Sequence, residues 1–128
     1  MDPSQKEVIN EIIKTYKESG VIWKVTKTKH YGLSHLEKRK RRNDLPSDWT
    51  LKEYNIHIMN IMTDIYNDVH IYYLPGFTQN YFTFDNGKWI IIIEEDKIIE
   101  TAMKGNPDNY FANNPGYAYL GKVKDVLK

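Results

Sequence analysis

The sequence predicts an α+β domain in which N-terminal helices pack on one face of an antiparallel sheet of about four to five strands. Helix signals are confined to about residues 1–66, and strand signals to about residues 69–123. Helices first and strands later favour this class over alternating α/β units. Asn86-Gly87 between two apolar runs marks a tight hairpin, because both positions of a type I′ turn require φ > 0. With 128 residues, the chain is expected to form a single domain, residues 1–128.

Three Ser/Thr-x-x-Glu sequences predict helix starts, because the hydroxyl can accept from a free backbone N–H while the Glu reaches back to the cap residue. They begin at Ser4, Ser34 and Thr50. The first helix has one apolar face and is expected to stop at Gly20. The second is short and very basic and should end at residues 43–46. The third is predicted over about residues 51–66, with Ile65 on its buried side.

The other regular elements are predicted to be strands. Alternating apolar residues over 21–26 predict one strand between the first two helices. Four more are expected over residues 69–74, 81–85, 88–95 and 97–103. The four consecutive Ile residues within 88–95 favour a central strand that is covered on both faces. The tail is rich in Asn, Gly, Pro and Tyr, and it is predicted to be an ordered loop that can include one final short strand.

Charge and composition limit the classes of partner. The net charge is only +1, so any affinity for nucleic acid must come from a local patch, and the five consecutive cations at 38–42 could form one. The absence of Cys excludes disulfides, thiolate catalysis and Cys-based zinc sites. The N-terminus lacks the apolar core of a signal peptide, and no apolar run is long enough to span a membrane. A cytoplasmic protein without membrane contact is expected, and secretion without disulfides stays open.

Two histidines directly precede the basic run. His30 and His35 are five residues apart, so they do not share a helical face, and the HxxxH zinc spacing is absent. With Ser34 as N-cap, His35 is expected in the first helical turn, where the helix N-terminus and adjacent cations would keep its imidazole neutral and able to act as a base. Two surface histidines on a polar connection are an equally weighted interpretation. His57 and His70 are expected to be structural.

The remaining candidates each have two interpretations. The basic run is expected either to contact RNA or DNA phosphates or to be a solvated helix. The Tyr residues after Thr101 can stack on unpaired bases, and they can equally be packing residues. The absence of Walker, GxGxxG and GxSxG motifs argues against nucleotide-dependent and nucleophile-elbow enzymes. Neither a metal nor a cofactor is expected.

Several stretches together resemble the barnase–EndoU–colicin–RelE superfamily of small metal-independent RNases, especially its phage and toxin branches. They lie within residues 26–111, which span about two-thirds of the chain: TKTKHYGLSHLEKRKRR (26–42), TLKEYNIHIMNIM (50–62), YFTFD (81–85), KWIIII (88–93) and KIIETAMKGNPDNYF (97–111). Members of the superfamily carry a histidine motif, then a helix and a four-strand meander, and a late strand of the form I-x-T supplies a hydroxyl. Met103-Lys104-Gly105 stands here in place of the usual Phe-x-Pro.

The resemblance implies RNA cleavage by attack of a ribose 2′-OH on the adjacent phosphate, with a neutral His as base and no metal or other cofactor. The catalytic positions expected are His30, His35, Arg39 and Thr101. With the basic run and the tail included, the RNA-binding positions expected are Lys27, Lys29, Lys38, Lys40, Arg41, Arg42, Lys104, Tyr110 and Tyr117. The expected partners are RNA, such as tRNA or mRNA, and a cognate inhibitor or immunity protein. The alternative function is a non-catalytic module that uses the basic helix 35–42 to bind nucleic acid or protein.

Overall fold

The computed structural model describes residues 2–73 and 80–127. Within these ranges the chain forms five helices and one five-stranded antiparallel sheet, which confirms the α+β class. The helices are α1 (Pro3–Ser19), α2 (Tyr31–Arg41), α3 (Leu51–Thr63), α4 (Pro107–Asn113) and α5 (Val123–Val126). The strands are β1 (Asp68–Tyr73), β2 (Asn80–Asp85), β3 (Trp89–Glu94), β4 (Ile99–Lys104) and β5 (Tyr117–Lys122). Their spatial order is β4-β3-β2-β1-β5, so β4 and β5 form the two edges.

The start of α2 differs from the predicted one. His30 is its N-cap, and the His30 Nδ1 accepts a hydrogen bond from the Leu33 N–H at 3.2 Å. Ser34 therefore lies inside the helix, and the predicted start at Ser34 is wrong. An imidazole nitrogen can take the capping role because it offers the same acceptor lone pair as a hydroxyl or carboxylate. His35 is consequently in the second turn of α2 and not in the first.

The other two helix starts are closer to the prediction. Asp2, and not Ser4, is the N-cap of α1, because its carboxylate accepts from the Ser4 N–H at 2.8 Å. The predicted capping box of α3 is confirmed, since Thr50 is the N-cap and its N–H donates to Glu53 Oε2 at 3.0 Å. This helix ends at Thr63, three residues earlier than predicted.

The core lies between the sheet and helices α1 to α3. Period-two alternation along the strands sends one set of apolar residues to this side: Val69, Ile71, Phe82, Phe84, Ile91 and Ile93. From α3, apolar residues spaced three or four apart meet them, including Tyr54, Ile58 and Met62. Ile65 was predicted to join this face, but it is 43% exposed because it follows the end of α3.

The opposite side of the sheet, here called the outer face, carries the alternate residues. On β3 these are Ile90 and Ile92, which are as buried as their neighbours, so the prediction of a strand covered on both faces is confirmed. Helix α4 covers part of the outer face, since the Phe111 ring stacks on the His70 ring with centroids 3.9 Å apart. The tail therefore contains the expected final strand, β5, and also two short helices that the prediction of a loop missed.

Residues 21–26 do not form the continuous strand that was predicted. They make only isolated bridges, from Trp23 parallel to Ile99 and from Val25 antiparallel to His30. The Ile99 N–H donates to the Ile22 carbonyl at 2.9 Å, so this segment runs along the open edge of β4. The chain then reverses direction, and this reversal places His30 at the start of α2.

At Gly32, α2 lies close against this segment. A Cβ at Gly32 would lie 2.7 Å from the Trp23 ring and 2.8 Å from the His30 Cε1. Gly→Ala in a helix interior normally stabilises by about 1 kcal/mol. Here we expect Gly32→Ala to lower the free energy of unfolding by about 1–3 kcal/mol, because the extra methyl overpacks the contact. Urea denaturation measures the change. Gly105→Ala is the control, since nothing lies within 4 Å of that position, and a Gly32→Ala protein as stable as wild type would contradict the expected clash.

Candidate functional site

Two of the predicted catalytic residues, Arg39 on α2 and Thr101 on the edge strand β4, are in direct contact. The Arg39 Nε donates to the Ala102 carbonyl at 2.9 Å, and its Nη2 donates to the Thr101 Oγ1 at 3.1 Å. The Tyr54 hydroxyl on α3 donates to the same Ala102 carbonyl. We call the region formed by Trp23, His30, His35, Arg39 and Thr101 the α2–β4 seam. Arg39 and Thr101 are 62 residues apart in sequence, and the Arg39 guanidinium group joins α2 to β4.

Arg39 is only 3% exposed, so neither interpretation of the basic run, phosphate contact or a solvated helix, holds at this position. Its Nε and Nη2 both donate to neutral oxygen acceptors of the protein. A buried cation is tolerated only when its donors find such partners. Arg39 is therefore not part of a free phosphate-binding surface, and the structure places it as the residue that anchors α2 to β4.

His35 packs under Trp23, with ring centroids 5.5 Å apart and planes 26° from parallel. Its Nδ1 is buried and has no hydrogen-bond partner. Burial, followed by the charges of Arg39, Lys38 and Lys29, lowers the pKa of His35 to about 4. The imidazole is thus held neutral at pH 7, as predicted. The cause is different, because desolvation and not the helix N-terminus is the main effect.

His30 is constrained by its role as N-cap. Its Nδ1 lone pair accepts the Leu33 N–H, so in the neutral ring the proton must be on Nε2. The two histidines therefore differ in what they offer a ligand. His30 presents an N–H donor at Nε2, and His35 is a ring that resists protonation.

The predicted RNA-binding residues fall into two groups. Lys27, Lys29, Lys38, Arg41, Arg42 and Lys104 are exposed. Lys40 is half-buried and lies 3.7 Å from Glu37. Tyr110 and Tyr117 are half-buried on the outer face, with their hydroxyl oxygens 3.3 Å apart. Tyr117 belongs to β5, the edge strand opposite β4, so these two rings are not brought to the α2–β4 seam.

A second cluster of titratable side chains, on the outer face, was not anticipated from the sequence. It surrounds a cavity of about 430 Å³ between the sheet and α4, here called the outer-face cavity. Among its lining residues are Asp68, His70, Asp85, Asp108, Phe111, Tyr119 and Lys122. The Asp68 Oδ1 has two partners, the Lys122 Nζ at 2.8 Å and the Tyr119 hydroxyl, which donates at 3.1 Å.

Asp85 lies in the floor of this cavity and is 4% exposed. Its Oδ1 accepts from the Gly87 N–H at 3.1 Å, while its Oδ2 is buried without a hydrogen-bond partner. The His70 Nδ1 lies 4.0 Å from that Oδ2 and is likewise unpartnered. Burial raises the pKa of Asp85 to about 6, and the Asp68 carboxylate acts in the same direction. Burial also lowers the pKa of His70, so the two groups do not form an ion pair near neutral pH.

A signal for this cluster was present in the sequence. In DVHIYY, Asp68 and His70 alternate with Val69 and Ile71, which places both polar residues on the same side of β1. Asp85 was interpreted only as part of the Asn-Gly hairpin, and His70 only as a structural residue. The antiparallel register pairs Asp68 with Asp85, and this register does not follow from the pattern alone.

Two further observations apply to the described part of the chain. No three His, Asp or Glu side chains within residues 2–73 and 80–127 are arranged to hold a metal ion. None of the helices described has both the length and the apolar character needed to cross a bilayer.

Comparisons of the chain with protein-family models, with curated proteins and with solved structures gave no match.

Asp85→Asn should change the pH dependence of stability. The pKa of about 6 in the folded state exceeds the value of about 3.9 for an exposed Asp, so the folded state binds more protons between these values. The Asp85 contribution to stability therefore decreases as the pH rises from about 4 to 6. We expect the free energy of unfolding of Asp85→Asn to gain roughly 2 kcal/mol relative to wild type between pH 4 and 7. Urea denaturation at each pH measures it, and a difference that does not vary with pH would contradict the expectation.

Proposed function

We propose that the protein is a small endoribonuclease that needs no metal and cleaves RNA at the α2–β4 seam. The observation that carries the proposal is the contact of Arg39 with Thr101. It holds the helix that bears His35 and the basic run against the strand that bears Thr101. The resemblance to the barnase–EndoU–colicin–RelE superfamily supports the same set of residues.

The two histidines are suited to different parts of the reaction. A neutral His35 accepts the proton of the ribose 2′-OH as that oxygen attacks the phosphorus atom, the bond from phosphorus to the 5′-oxygen of the next nucleotide breaks, and a 2′,3′-cyclic phosphate forms. The departing 5′-oxygen takes a proton from water. The Nε2–H of His30 donates to the phosphate group, where negative charge develops. The Thr101 hydroxyl supplies a further polar contact, and Arg39 fixes its position. Arg39 is then a positioning residue and not a direct ligand of the substrate.

The exposed cations around the seam provide the electrostatic attraction for RNA. Lys27 and Lys29 precede His30, and Lys38 is one turn from His35 on α2. Phosphate contacts from such residues supply affinity without sequence preference. In this proposal a cognate inhibitor or immunity protein covers the seam, and the protein acts in the cytoplasm on tRNA or mRNA.

Two conservative variants test the histidines without removing their structural contacts. His35→Phe keeps an aromatic ring under Trp23 and removes both nitrogens. His30→Asn keeps a favoured N-cap and removes the Nε2–H. We expect His35→Phe to lower the cleavage rate by about two to four orders of magnitude, because the general base is absent, with RNA affinity nearly unchanged. His30→Asn should lower the rate in the same manner. Cleavage is followed in EDTA with a labelled RNA, and the products should carry cyclic phosphate ends.

His57→Phe is the matched control, since His57 packs between Trp49 and Trp89, outside the seam, and this replacement should leave the cleavage rate unchanged. Because the pKa of His35 is about 4, wild-type cleavage should not decline between pH 7 and 5 through protonation of this base. RNA that stays intact at high concentrations of the wild-type protein would rule out the enzyme.

The burial of Arg39 favours the alternative function, a non-catalytic nucleic-acid-binding module. The Arg39 guanidinium, which contacts Thr101, makes its hydrogen bonds within the protein, whereas Lys38, Arg41 and Arg42 face solvent. An exposed basic surface needs no catalytic base. This alternative accounts for the basic run, but it gives no role to the neutral His35 beside it.

The basic run itself can be tested under either function. Replacing Arg41 and Arg42 together with Ala should reduce the slope of log affinity against log salt by about 1.4–1.8, at about 0.7–0.9 for each phosphate that is no longer neutralised. Filter binding or fluorescence anisotropy with a short RNA measures the slope. Lys14→Ala with Lys17→Ala on α1 is the control, because these exposed lysines carry the same charge on a different helix. An unchanged slope would mean that the run is a solvated surface.

A further inference from the structure

We propose that the outer-face cavity binds a small organic cation with N–H donors, a guanidinium or primary ammonium group, held by Asp85 and His70. This site is separate from the α2–β4 seam. It lies between α4 and the strands β1, β2 and β5, whereas the seam lies at the opposite edge of the sheet, on β4.

Two buried atoms in the floor of the outer-face cavity have no hydrogen-bond partner. Asp85 is more than nine-tenths buried, and its Oδ2 has no donor. The His70 Nδ1 is buried beside it and also has no partner. With the His70 proton on Nε2, both atoms are acceptors. Buried acceptors without donors are uncommon and costly in folded proteins, so a group that brings donors to this place satisfies both.

The geometry selects a nitrogen with at least two N–H groups. The two acceptors are 4.0 Å apart. A nitrogen placed between them at the usual distance of about 2.9 Å can donate to both. Guanidinium and primary ammonium groups have this property, whereas a quaternary ammonium has the charge but no donor.

The electrostatics of the cavity favour a cation. Three carboxylates line it, from Asp68, Asp85 and Asp108, against one ammonium group, from Lys122. That ammonium is already paired with Asp68 at 2.8 Å. The remaining carboxylates leave the cavity negative, which disfavours phosphates and other anions. Phe111 adds an aromatic wall beside His70, a further feature that suits a cationic ligand.

Asp85 must be ionised to hold a cation, so binding should depend on pH. The charged and titratable groups that face it are Asp68 and His70 on β1, Asp108 on α4, and Tyr119 and Lys122 on β5. Since burial raises the pKa of Asp85 to about 6, ligand binding should release a proton near this pH and weaken as the pH falls below it.

The probe is agmatine, which carries both a guanidinium and a primary ammonium group, titrated into the whole protein at pH 7.5. Binding is followed through the NMR signals of the His70 ring. We expect saturable binding of agmatine, and binding of tetramethylammonium at least ten-fold weaker because it lacks N–H donors. N-acetylarginine N-methylamide mimics an arginine residue within a peptide, so it distinguishes a peptide ligand from a free small amine. Affinity equal to that of agmatine points to an arginine side chain of a peptide, and lower affinity points to a free amine.

Asp85→Asn keeps the shape of the side chain and removes the charge, and it should weaken agmatine binding at least ten-fold. Asp48→Asn, at an exposed position outside the cavity, should bind like wild type. His35→Phe should also bind like wild type, so failure of the ribonuclease proposal and failure of this one are distinguishable. His70→Phe removes the second acceptor and provides a further test if Asp85→Asn does not fold: it should also weaken agmatine binding at least ten-fold, measured by calorimetry because this variant lacks the His70 ring signals. The site is refuted by unsaturable agmatine binding to wild type, by unchanged affinity in Asp85→Asn, or by equally tight tetramethylammonium binding.

Discussion

The buried guanidinium of Arg39 is the interaction on which the arrangement of this protein depends. Strand β4 is an edge of the sheet, and its outward backbone groups need partners from elsewhere. Arg39 and Tyr54 supply donors to the Ala102 carbonyl, and the 21–26 segment accepts from the Ile99 N–H. Two backbone groups of the edge strand thereby have partners, and the same contacts fix α2 and α3 against β4. The contacts that stabilise the edge strand β4 therefore also set the geometry of the α2–β4 seam.

The sheet separates two chemically different environments. On the side of α1 to α3, the alternate strand residues are apolar and form the core. On the outer face, α4 and a set of aromatic rings cover part of the strands, and polar residues such as His70 and Asp85 lie beneath them. The basic seam and the acidic cavity are kept at opposite edges. Although the net charge is only +1, the region around the seam is therefore positive and the outer-face cavity is negative.

The elements of the fold were largely predictable, because each depends on local patterns. The Asn86-Gly87 hairpin, the apolar face of α3 and its Thr50 cap all follow from residues close together in sequence. The errors occurred where a local pattern competed with a distant contact. Ser34 had the signature of a cap, yet His30 takes that position because residues 21–30 fold back along β4. Residues 21–26 alternate like a strand, but they reach the edge of β4 only through isolated bridges.

The sequence by itself determined that three helices precede the first four strands, the interior position of the four isoleucines and the concentration of charge at 38–42. Tertiary structure alone decided what the polar residues do. Arg39 is buried because the edge of β4 requires a donor, and this requirement exists only once the strands have paired. His70 and Asp85 become neighbours only through the register of β1 with β2. Desolvation sets the proton affinities of His35 and Asp85, and burial is a property of the packed molecule that a linear pattern does not contain.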